Sequence, residues 1–152
     1  MNSIVELDKY GLTFREKVAY IGTRLKSEPQ AEITLKHIFE PGVYVREMVI
    51  PPETCFIGRP HRFGHRLHFV SGSFRMLDPA GESFSDSPHE IFTKPEHVTV
   101  LVTLQYPLVL RTYHENPVEC RDIELMERLI FHTEDEVRQV ADRVEHRILE
   151  LT

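Results

Sequence analysis

The sequence predicts a mainly β fold, an antiparallel barrel or sandwich with one helix before it and helices after it. Three observations carry this expectation. Short β-rich runs broken by Pro and Gly fill residues 33 to about 114. Apolar residues recur at helical spacing before and after that stretch. Two Thr-x-x-Glu sequences stand where such helices would begin.

Thr13-Phe14-Arg15-Glu16 has the capping-box form, in which the Thr hydroxyl and the Glu carboxylate each take a free amide of the first turn. The expected helix covers about 13–26, with Phe14, Val18, Ile21 and Leu25 on one face, and Ser27-Glu28-Pro29 ends it. Strands are expected at Ile33–Phe39, Val43–Ile50, Cys55–Gly58, Arg66–Leu77, Glu90–Thr93, Val98–Leu104 and Leu108–His114. Gly72 interrupts the fourth as a bulge or turn, and Asp78-Pro79-Ala80-Gly81 supplies a tight turn. C-terminal helices are expected over about 117–151. Asn116-Pro117 can start the first, which carries Ile123, Met126, Leu129 and Ile130 on one side. Thr133-Glu134-Asp135-Glu136 opens the second, where Val137, Val140, Val144, Ile148 and Leu151 form a stripe. That stripe suits either a cover for the barrel or a dimer contact. With no internal repeat, low-complexity tract or linker, residues 1–152 read as one domain.

Composition narrows the function classes. Of 152 residues, 41% are hydrophobic and 28% charged, as in ordinary globular chains, and no run approaches the roughly 20 apolar residues of a membrane span. A membrane partner is not expected. Met1-Asn2-Ser3-Ile4-Val5-Glu6 lacks the features of a secretory signal, so the expected address is the cytoplasm. Cys55 and Cys120 fit neither a disulfide framework nor a zinc ribbon. A net charge of −6 argues against nucleic acid as a partner. Arg59, Arg62, Arg66 and Arg75 cluster locally, either as solvated strand residues or as an anion-binding face.

Nine histidines occur, and His61, His65 and His68 fall within one short stretch. Neutral imidazole is the commonest protein ligand for transition metals, and a site needs three or four such groups converging from rigid elements. Strand alternation puts His65, Leu67, Phe69 and Ser71 on one face and His68 with Val70 on the other. His61 shares the parity of His65 across Gly64, where the chain can bend, so these two can meet. His114 ends the run from Leu108 on the face of Leu108, Leu110 and Thr112, which makes it the third candidate ligand. His68 and His97 are additional candidates, the latter in a turn after Lys94-Pro95-Glu96. His37, His132 and His146 read as surface residues, and His89 has no assigned role.

The stretch Gly58-Arg59-Pro60-His61-Arg62-Phe63-Gly64-His65, followed after six residues by Gly72, resembles the first motif of the cupin superfamily. That motif has two histidines one residue apart, then a glutamate, then a glycine. The resemblance sets His61 on the second histidine, His65 on the glutamate and Gly72 on the glycine, with Arg59 where the first histidine stands. Lys94-Pro95-Glu96-His97 resembles the turn of the second motif, and Val100 occupies its histidine position. Phe39-Glu40-Pro41-Gly42-Val43-Tyr44-Val45-Arg46-Glu47 and Tyr113-His114-Glu115 resemble small phage and bacterial cupin-like proteins of unassigned function, over about residues 35 to 130. The resemblance implies a jelly-roll barrel of the cupin type.

Two classes of function follow. In the first, His61, His65 and His114 hold Fe, Mn, Ni or Zn inside the barrel with positions open to a small molecule. Arg59, Arg75, Arg111 or Tyr113 would orient a carboxylate or phosphate, and Glu96 or Glu115 is a candidate general base. In the second, loss of the usual ligands marks a non-catalytic phage accessory or virion-associated module that assembles as a homo-oligomer. A metal-free sugar- or nucleotide-binding barrel is a third reading, weakened by the absence of Trp.

Overall fold

The computed structural model describes residues 6–152. They form two compact units: Ala31–Phe131, and a helical unit of the residues up to Gln30 with His132–Thr152. Three α-helices occur among them: α1 (Phe14–Leu25), α2 (Ile123–Ile130) and α3 (Glu134–Leu151). None is long and apolar enough to cross a membrane.

In the helical unit, both expected capping boxes form. The Thr13 hydroxyl accepts from the Glu16 amide at 3.1 Å, and the Thr13 amide donates to Glu16 at 2.9 Å. Thr133 and Glu136 repeat the exchange at 3.1 and 3.2 Å. The two helices contact each other, with Val18, Ala19 and Ile21 buried on α1 and Ala141 and Val144 buried on α3. Part of the α3 stripe thus finds a neighbour within the chain, while Leu151 stays exposed. His132 is not the surface residue expected; it is half-buried and meets Glu136 at 2.9 Å.

The larger unit carries the strands: β1 (Thr34–Glu40), β2 (Val43–Ile50), β3 (Cys55–Ile57), β4 (Arg66–Ser71), β5 (Ser73–Asp78), β6 (Gly81–Asp86), β7 (His89–Phe92), β8 (Val100–Thr103) and β9 (Leu108–Glu115). All pairing is antiparallel. It gives a five-stranded sheet, β1-β2-β9-β4-β7, and a four-stranded sheet, β3-β8-β5-β6. The ladders form two open sheets, not one continuous ring.

One apolar core draws on both sheets, with Ile50, Leu67, Phe69, Leu108 and Leu110 from the first and Phe56, Phe74 and Leu101 from the second. The rings of Phe69 and Phe74 meet at 4.2 Å between centroids. Along β9 the alternation is complete: Leu108, Leu110, Thr112 and His114 are buried, and the residues between them are not. Truncating a fully buried aromatic such as Phe69 to Ala removes on the order of 3–5 kcal/mol.

Two expectations are corrected here and one strand is added. The run Arg66–Leu77 is two strands in different sheets, because Gly72 takes φ +101° and a Cβ there would lie 2.5 Å from the Pro107 carbonyl oxygen. The close approach needs glycine, and the chain changes sheets there. Strand β6 had no apolar signal, since its residues are mostly exposed; its pairing with β5 defines it. Helix α2 begins at Ile123, not at 117. The Asn116 side chain holds the Cys120 amide at 2.9 Å and its carbonyl at 2.8 Å, which commits those groups to a turn, and Asp122 caps the helix by accepting from the Leu125 amide at 3.1 Å.

Candidate metal centre

His65 stands one residue before β4, on the face of Leu67 and Phe69, and is buried as they are. Thr93, just beyond β7, fixes it. The His65 amide donates to the Thr93 hydroxyl oxygen at 3.0 Å, the Thr93 amide donates to the His65 carbonyl at 2.8 Å, and the hydroxyl meets His65 Nδ1 at 2.9 Å. Gly64 permits this approach, since a Cβ there would sit 2.5 Å from the Thr93 carbonyl oxygen. With Nδ1 engaged, Nε2 of His65 remains buried with no hydrogen-bond partner.

His61 lies on the preceding loop, clamped from two sides. Its amide donates to the His97 carbonyl at 3.0 Å, and its own carbonyl accepts from the Glu96 amide at 2.8 Å. The next residue, Arg62, donates its amide to the Ile130 carbonyl at 2.7 Å and its Nε to the Phe131 carbonyl at 2.9 Å. The His61 ring stacks on His65 at 3.9 Å between centroids and meets the Phe131 ring edge-on at 4.6 Å. Both of its nitrogens are buried and unpartnered.

His114 comes from β9, opposite Tyr44 of β2. Its Nε2 meets the Thr112 hydroxyl at 2.8 Å, and its ring lies 5.1 Å from His65 and 5.5 Å from His61 between centroids. One nitrogen from each of the three histidines falls within 4.8 Å of the others. This convergence fits a metal ion: three buried imidazoles meet, and two of them, His61 and His65, carry unpaired nitrogen atoms that a folded interior does not normally leave bare.

Electrostatics keep the three neutral. Burial is the main cause, pushing His61 down to about 2, His65 to about 4 and His114 to about 3. Mutual repulsion among the histidines adds to the effect on His61, and the buried Arg46 guanidinium lowers both His61 and His114. A neutral imidazole presents the lone pair that a metal ligand requires.

The other candidates lie apart from this convergence. His97 approaches His65 edge-on at 6.2 Å, but its Nε2 meets Thr99 at 3.1 Å. His68 pairs across to Glu90 and Arg111, on the opposite strand face from His65. Each expected orienting residue has a protein neighbour: Arg59 meets Glu127 at 3.2 Å and covers Phe131, and Arg111 meets Glu47 at 2.6 Å. Arg75 is exposed on β5, 3.8 Å from Glu82, and Tyr113 lies under the Arg66 guanidinium at 3.8 Å.

A second polar group adjoins the centre and was not expected. Buried Arg46 donates to the Tyr44 hydroxyl and to Glu127, both at 3.1 Å, and stacks over Phe131 at 4.7 Å. His37, expected at the surface, is half-buried and meets the Tyr44 hydroxyl at 2.5 Å. Glu127 and Phe131 are far from Arg46 in sequence, and no local spacing marks that part of the group. Thr93 and Thr112 could be sought only by asking which residue orients each histidine.

A half-open cavity of about 770 Å³ reaches the centre from one end of the five-stranded sheet. His65 and His114 form part of its wall, and α2 contributes Leu125, Met126, Leu129 and Ile130.

No family model and no curated protein matches the chain. Solved structures similar to it include cupin domains. One is the cupin domain of an XRE family transcriptional regulator from Enterobacter cloacae, at 13% identity and a TM-score of 0.48, covering 58% of this chain and 99% of that one. Another is an uncharacterised conserved protein with a double-stranded β-helix domain from Klebsiella pneumoniae, at 11% identity and 0.49, covering 60% and 84%. A third is an RmlC-like cupin family protein from Methanocaldococcus jannaschii, at 11% identity and 0.43, covering 58% and 84%.

Proposed function

We propose that the chain is a cupin-type jelly roll that binds one divalent transition metal through His61, His65 and His114 and uses it on a small molecule. The observation that carries this reading is the convergence of three buried imidazoles whose nitrogens include three without any hydrogen-bond partner. Iron, manganese, nickel and zinc all accept such ligands. When bound, the metal supplies Lewis-acid polarisation of a coordinated oxygen.

The chain's own residues do the rest. Thr93 engages His65 at Nδ1 and leaves its Nε2 without a partner, and Thr112 fixes the His114 ring through Nε2. The loop clamps on His61 hold the third ring in place. A closed structural zinc site takes four protein ligands. Among the described residues three converge, and two of them also line a cavity, which favours a site open to a ligand over a purely structural one.

The test is metal content in single variants. His61→Ala, His65→Ala and His114→Ala should each lower bound metal sharply, and exposed His146→Ala should not. Equal metal in all four variants would refute the ligand set.

A further inference from the structure

We infer that the ligand of this centre has a sizeable uncharged apolar body and a single polar end, which faces His65 and His114. The inference rests on the metal-site reading for the polar end and on the cavity for the rest. A volume of about 770 Å³ is that of a pocket for a small organic molecule.

The distribution of polarity decides the class. Phe63, Phe92, Val118, Leu125 and Leu129 line this cavity and are all exposed, so a large share of the exposed bulky apolar surface collects at one opening. Among the lining residues Arg66 and Glu115 carry charge, and the Arg66 guanidinium lies over Tyr113 and meets Glu90 at 3.3 Å. The side chain of Asn116 is committed to Cys120, and the hydroxyl of Thr93 to His65. A carboxylate- or phosphate-rich molecule would find a single guanidinium here, already beside Glu90, and the carboxylate of Glu115 in the same wall. An alkyl or aryl body would bury against it, with its polar end at the two histidines.

The probes are alkyl hydroxamates from acetohydroxamate to octanohydroxamate, titrated calorimetrically into the full chain loaded with zinc. Each methylene that enters the groove should tighten binding about fourfold. Phe92→Lys and Leu129→Lys, at exposed positions, should flatten that dependence and leave zinc content unchanged. Affinity independent of chain length, with zinc retained, would overturn the inference.

A protein that retains no metal would remove the proposed centre, and the groove is then read with neutral N-phenyl-1-naphthylamine. Binding weakened tenfold or more by Leu129→Lys upholds the apolar ligand, and no binding overturns it. If the two lysine variants instead convert a dimer into a monomer, the groove is an interface between copies and the inference falls.

Discussion

The rings of His61 and His65 lie face to face, 3.9 Å apart between centroids and 24° from parallel, in the interior of the β unit. Neither nitrogen of His61 and only one of His65 has a hydrogen-bond partner. A buried polar group left this way costs about 1–3 kcal/mol, so the metal-free centre is a local liability.

That liability gives a substitution whose sign depends on metal. In metal-free protein, His61→Leu should leave stability unchanged or raise it, since it removes two buried polar atoms that have no hydrogen-bond partner. With metal at about 1,000 times its dissociation constant, the native chain should gain about 4 kcal/mol, and His61→Leu should lose most of that gain. Urea unfolding of both proteins, with and without metal, measures this; destabilisation of equal size in both states would contradict it.

Acid should destabilise the metal-free fold. The folded-state values of His61, His65 and His114 lie below the ordinary 6.5, so the unfolded chain binds more protons as pH falls past that value. The stabilising difference is complete above about pH 7.5 and is lost as pH drops toward the folded values. For His65, from 6.5 to about 4, it amounts to about 3 kcal/mol. Unfolding free energies at pH 7.5, 6 and 5 should fall steadily, and His65→Gln should reduce the slope. A flat profile would show that these imidazoles are not held neutral.

Thr93 is a positioning residue, not a ligand. Thr93→Val should weaken metal binding about 10- to 100-fold by freeing the His65 ring, and Thr93→Ser should restore it. Metal titration of the three proteins checks this, because a merely structural loss would lower stability without being rescued in affinity by the serine.

Gly64→Ala should disturb the centre more than its size suggests. The added methyl would meet the Thr93 carbonyl oxygen at 2.5 Å, forcing apart the two segments that hold His65. A cost of about 1–3 kcal/mol and a fall in metal content are expected, read by denaturation and elemental analysis. An alanine variant with native metal content would place the constraint on His65 elsewhere.

Local physics was legible in the sequence. Both Thr-x-x-Glu boxes cap helices, and strand β2 occupies the range predicted from its β-rich run between Gly42 and Pro51, because these signals depend on residues a few positions apart. The parity that put His65 with Leu67 and Phe69, and His114 with Leu110 and Thr112, describes where those side chains lie. What the sequence did not disclose depends on distant partners. Strand β6 exists by pairing with β5, the onset of α2 is set by the Asn116 side chain, and Glu127 meets Arg46 and Arg59 across the fold. The orienting arginines looked available in a linear reading, yet Arg59 and Arg111 have carboxylates beside them.

The most direct test is the metal content of the untagged native chain, purified without chelator and then offered iron(II), manganese, nickel and zinc in turn, with metal per chain read by plasma mass spectrometry. The account predicts close to one ion per chain for at least one of these metals, lost in His114→Ala. A chain that stays metal-free after every offer would contradict the central claim and leave the three histidines a buried polar cluster.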